Sequence, residues 1–66
     1  MFHAGKALSA VMREEGLNRN ILADELGVAP NQINRWQNSK DLKLSIVIKV
    51  CDIAKINVGQ FISLGK

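Results

Sequence analysis

Apolar side chains recur along this chain at three- and four-residue intervals, and the pattern restarts after each glycine or turn-forming stretch. Ala4, Ala7, Leu8, Val11 and Met12 share one face of a helix that the spacing predicts from about His3 to Glu15. Gly16 is placed to end it, because glycine enters the left-handed conformation that closes a helix at little cost. A second helix, about two turns long, is predicted to begin at Asn18, whose side chain is suited to accept an unpaired N–H of the first turn. It buries Leu22 and Leu26 and stops at Gly27. A third begins at Pro30, which suits the first helical position since its missing N–H has no partner there anyway. Ile33 and Trp36 point inward from it, leaving Asn31, Gln32, Asn34, Arg35 and Asn38 outside.

From Ser45 to Ala54 two patterns compete. The run from Ile46 to Ile53 is rich in β-branched residues and is compatible with a strand. Val47, Val50, Cys51 and Ala54 instead fall at helical spacing, and Ser45 is suited to cap a helix there, which is the favoured reading. A last short helix starts at Asn57 and is expected to bury Val58, Phe61 and Ile62.

Helices two and three carry a specific constellation. Two short helices crossing over a tight turn need a small residue at the crossing (Ala23), a glycine four residues later (Gly27) and a branched apolar residue six further on (Ile33). Leu22, Leu26, Val28 and Trp36 complete their shared core. With these positions filled, the stretch Leu17 to Trp36 resembles helices two and three of the lambda-repressor-like family, the Xre or Cro type, and Val50 to Ile62 resembles the end of its helix four running into helix five. The resemblance implies an all-α, compact five-helix domain over residues 1–66, with a helix-turn-helix from roughly Arg19 to Asn38, and decides the ambiguous fourth segment in favour of a helix.

The chain departs from the family in places. Where many members pair an arginine near the end of helix one with a glutamate just after the recognition helix, this chain has Met12 and Gln37, which implies an apolar contact in place of an ion pair. Arg19 replaces a common glutamine, Ser39 replaces a glycine, and Lys55 stands where a glycine usually ends helix four.

Composition narrows the chemistry. At 66 residues there is one domain at most, of marginal stability. A single cysteine, Cys51, and a single histidine, His3, exclude an internal disulfide and a zinc-finger cluster. No apolar run approaches the ~20 residues of a membrane helix. A lone thiol and the lack of a secretory signal point to a reducing cytoplasm. No phosphate loop, carboxylate pair or metal constellation is present, so neither catalysis, a cofactor nor a small-molecule ligand is expected. Trp36 and Cys51 read as core residues, and Lys6 and Lys49 as ordinary surface charges.

The net charge is +3, and its distribution matters more: no acidic residue occurs from Leu26 to Lys40. The predicted helix from Pro30 to Asn38 presents Asn31, Gln32 and Arg35 near its start, the residue types that read adenine and guanine edges in the major groove. Three asparagines on so short a helix also go against helix propensity, unlike a face selected only for solubility. Asn18 and Arg19, at the start of helix two, are placed for phosphate contact. The resemblance adds Asn38, Lys40 and Lys43 on the opposite wall. The expected function is a sequence-specific regulator binding double-stranded DNA as a homodimer on a near-palindromic operator, its dimer contact involving Phe61, Ile62 and Leu64, which are equally suited to cap the core. The competing readings are a protein-interaction module on the same fold, such as an antitoxin or anti-regulator, and a non-specific DNA binder.

Overall fold

Five helices follow one another in the computed structural model, which describes residues 2–66: α1 (Ala4–Glu14), α2 (Arg19–Leu26), α3 (Pro30–Gln37), α4 (Leu44–Ala54) and α5 (Val58–Leu64). The described residues contain no strand, so the segment from Leu44 to Ala54 is helical as favoured. Its β-branched residues are accommodated because Val47, Val50, Cys51 and Ala54 form a buried stripe, and packing of that stripe overrides the local preference. The helix starts one residue before Ser45, whose side chain caps nothing. Lys43 is the N-cap, in extended conformation, and its carbonyl takes the first bonds, from the N–H groups of Ile46 and Val47.

The other boundaries lie where the sequence puts them. After α1, Gly16 adopts φ +66° and the Leu17 N–H returns 2.8 Å to the Met12 carbonyl. The end of α2 repeats the device, with Gly27 at φ +70° and the Val28 N–H bonded to the Ala23 carbonyl at 2.9 Å. Asn18 accepts the Ile21 N–H at 2.8 Å. Asn57 and Gln60 cap α5 reciprocally, side chain to backbone in both directions. His3 caps α1, its Nδ1 accepting the Lys6 N–H at 3.0 Å.

Helix α4 closes with the same bond pattern, but the left-handed position is Lys55, at φ +58°. An L side chain there costs about 1–2 kcal/mol. Lys55→Gly relieves that cost and gives back about 0.4–1 kcal/mol through the more flexible unfolded chain. The expected net gain is about 0.5 kcal/mol, a rise in melting temperature of about 2–4 °C in a thermal unfolding experiment. A lower melting temperature would show that the Lys55 side chain contributes more than its backbone costs.

The helices enclose one core. Leu8 and Val11 from α1, Leu22 from α2, Ile33 from α3, Val50 from α4 and Phe61 from α5 are all fully buried. Helix α1 packs on α3 and α5, α2 on α3, and α4 on α5. Trp36 is half-buried against this cluster, and Val58 and Leu64 flank it. Ile62 does not join the core: it is 41% exposed, because one residue past Phe61 the helix has turned away. Cys51 is buried, and desolvation pushes its thiol above the ordinary value.

The two ends of the chain are tied together. The His3 N–H bonds the Gly65 carbonyl at 2.9 Å, and the Phe2 ring lies 6.2 Å, centre to centre, from Phe61. The start of α1 is also fastened to the loop after α3. The Ala4 N–H donates to the Lys40 carbonyl at 2.9 Å and the Gly5 N–H to the Ser39 carbonyl at 2.8 Å. These bonds satisfy two N–H groups that a helix start otherwise leaves open. No helix among the described residues is long and apolar enough to cross a membrane.

Candidate nucleic-acid interface

Ile33 is turned into the core of the domain and Trp36 is half-buried against it, while the opposite side of α3 faces outward. Asn31, Asn34 and Arg35 are all exposed, at helical positions i, i+3 and i+4, and therefore share one face. Gln32 is half-buried and lies toward the other flank, in a groove with Trp36, Ser39, Leu42 and Lys43. The three predicted base-reading residues thus divide: Asn31 and Arg35 share the open face, while Gln32 stands at its edge beside the loop between α3 and α4.

The start of α2 lies against the start of α3. Asn18, Arg19 and Asn20 on one side, with Pro30, Asn31 and Asn34 on the other, line an open cleft of about 450 Å³. None of these residues is acidic, and together they offer amide and guanidinium donors. Asn34 and Asn20 belong to this surface, although the sequence reading gave them no role. The available signal was the spacing of Asn34 from Asn31, one turn along the same face. Glu25 of α2 lies elsewhere, in a separate depression with Lys49 and Asp52 of α4.

The predicted phosphate-contacting residues are all exposed. Asn18 uses its oxygen as the α2 cap, which leaves its amide N–H groups for an acceptor such as phosphate. Asn38 donates through Nδ2 to the Asn34 carbonyl at 2.9 Å, so one of its donors is spent within its own helix end. Lys40 and Lys43 extend from the loop that Ser39 stiffens, its hydroxyl bonding the Asp41 backbone. Asp41 brings one negative charge between the two lysines. Lys6, read from the sequence as an ordinary surface charge, shares a depression with Lys40, His3 and Phe2.

The contact expected between Met12 and Gln37 exists but is not apolar. The Gln37 amide donates through Nε2 to the Met12 sulfur at 3.4 Å, and its Oε1 accepts from Arg19 Nε at 3.0 Å. A long amide side chain reaches both groups at once, which is the physical reason for the difference.

Among the expected dimer residues, Phe61 is fully buried in the protomer's own core and has no surface to offer a second chain. Leu64 is half-buried against the same core, and Ile62 is exposed. No group of three His, Cys, Asp or Glu residues able to hold a metal ion occurs among the described residues.

Residues 7–66 match a family model described as a Cro/C1-type HTH DNA-binding domain. No curated protein and no solved structure matches the chain.

Proposed function

This chain belongs to the Cro/C1-type helix-turn-helix DNA-binding family, and from that premise we propose that it is a sequence-specific transcriptional regulator of the cytoplasm. It lays α3 in the major groove and acts as a homodimer on a near-palindromic operator. The observation that carries the reading is the acid-free surface made jointly by the start of α2 and the open face of α3. Asn31 and Arg35 read base edges, Asn by paired hydrogen bonds to adenine and Arg by paired hydrogen bonds to guanine. Gln32 reads from the groove edge. Asn18, Arg19, Asn38, Lys40 and Lys43 contact phosphates and fix the register without reading sequence.

The dimer supplies the symmetry. A protomer measuring 28 Å along its long axis is of a size to occupy one half-site where half-sites repeat every ~34 Å. The second copy docks at the C-terminal segment, where Ile62 is exposed and Leu64, half-buried against the core, offers its remaining edge.

Selection of bound duplexes from a random DNA pool at about 150 mM salt tests the proposal. An enriched motif with two-fold symmetry and half-sites about 10 bp apart is the expected result. Equal recovery of all sequences, with a steep salt dependence, would identify a non-specific binder. No recovery from a folded sample would move the function to a protein partner.

A further inference from the structure

The side chain of Gln37 joins three helices. Its oxygen accepts the Arg19 Nε–H of α2 and its nitrogen donates to the Met12 sulfur of α1, while its own backbone ends α3. The orientation of the amide follows from the partners. A guanidinium only donates, so the oxygen must face Arg19, and a thioether only accepts, so the NH₂ must face Met12. The backbone beneath is equally fixed, since the Gln37 carbonyl occupies space that Gly5 leaves free. Arg19 is exposed at the cleft between α2 and α3. It spends only its Nε–H on this contact, and the N–H groups of its two terminal nitrogens remain for another acceptor.

We propose that Gln37 is a positioning residue: a neutral tether that holds the Arg19 guanidinium ready for a DNA phosphate without cancelling its charge. The proposal rests on the DNA-binding reading above. A free arginine must give up rotamer freedom when it grips a phosphate, whereas a tethered one has already lost part of it on folding. A glutamate at this position would hold Arg19 equally well but would neutralise it, and the phosphate would then compete with a carboxylate. The amide provides the geometry and leaves the full positive charge for the DNA. Met12 completes the device by occupying the amide NH₂, so that the oxygen stays turned toward Arg19.

The test uses the full chain with two duplexes, the enriched sequence and a scrambled one, across a range of salt. Gln37→Met keeps the side-chain length and removes the acceptor. It is expected to weaken binding to both duplexes about three- to tenfold and to leave the sequence preference and salt slope unchanged. In an Arg19→Ala background the same change is expected to have no further effect. Gln37→Glu keeps the tether and removes the free charge, so the salt slope is expected to fall by about 0.9, the equivalent of one phosphate. Circular dichroism melts confirm that each variant is folded at the assay temperature. Wild-type affinity in Gln37→Met, or an effect that persists undiminished without Arg19, overturns the proposal. Should Gln37→Met not fold, a Gln37→Glu salt slope equal to wild type overturns it. If the wild-type chain binds no duplex, the DNA-binding reading fails and the tether's role fails with it. If the wild type binds and the cycle is additive, only the role of Gln37 falls.

Discussion

Replacing Asn31 and Arg35 together by alanine will collapse the difference between operator and scrambled DNA while leaving the protein folded. Each paired hydrogen bond to the correct base contributes about 1–3 kcal/mol of discrimination. Two of them lost give about 2–6 kcal/mol, a 30-fold to more than 10⁴-fold loss of preference, and in a symmetric dimer each change acts in both half-sites. Binding to scrambled DNA will fall much less, because the phosphate contacts come from other residues and only the single charge of Arg35 is gone. Stability will not suffer, since both side chains are exposed and alanine is the better helix former at position 31. Fluorescence anisotropy with both duplexes, beside a thermal melt, separates these effects. Operator preference that survives the double change would remove α3 from the recognition role and favour a protein partner for this face.

Gly5→Ala will destabilise the domain, although helix propensity alone says the reverse. In an exposed helix the change gains roughly 1 kcal/mol. Here a Cβ would fall 2.6 Å from the Ser39 carbonyl oxygen and closer still to that of Gln37, and both are backbone atoms that no side-chain rotation can clear. The end of α3 and the loop after it must move away. The hydrogen bonds from Gly5 to Ser39 and from Ala4 to Lys40 then lengthen or break. Overpacking of this kind costs about 1–3 kcal/mol, and each lost bond about 1 kcal/mol. A net loss of about 2–3 kcal/mol is a large part of the stability expected of so short a chain. It should lower the melting temperature by about 10 °C or more. Affinity for DNA should also weaken at temperatures where the variant is still folded, because Lys40 and Gln37 sit on the displaced segment. An unchanged or raised melting temperature would show that α1 slides aside without cost.

Gly5 shows where the sequence ceases to be informative. A glycine inside a helical pattern is merely tolerated, at about 1 kcal/mol against alanine, and the chain does not say why it stands there, since the backbone atoms it makes room for lie more than thirty residues away. Gln37 is similar. The sequence paired it with Met12 only through a family resemblance, and the nature of the contact and its extension to Arg19 required the three helices in place. Helix α4 is an intermediate case: its β-branched run argued for a strand, and the buried stripe that decides for a helix has meaning only against the other helices.

What the sequence determined by itself is the segmentation of the chain and the frame of the helix-turn-helix. Gly16, Asn18, Gly27 and Asn57 act through hydrogen bonds that span three to five residues, and Pro30 through its fixed backbone and missing N–H, so their effect is local and can be read from the order of residues. The apolar period placed Leu8, Val11, Leu22, Ile33 and Phe61 inward for the same reason. Tertiary structure alone decided which surfaces meet. It set the cleft that joins Asn18, Arg19 and Asn20 to Asn31 and Asn34, and the turning of Gln32 to the groove edge. Those outcomes depend on how helices cross. Crossing is set by packing among residues far apart in the chain, and no local period encodes it.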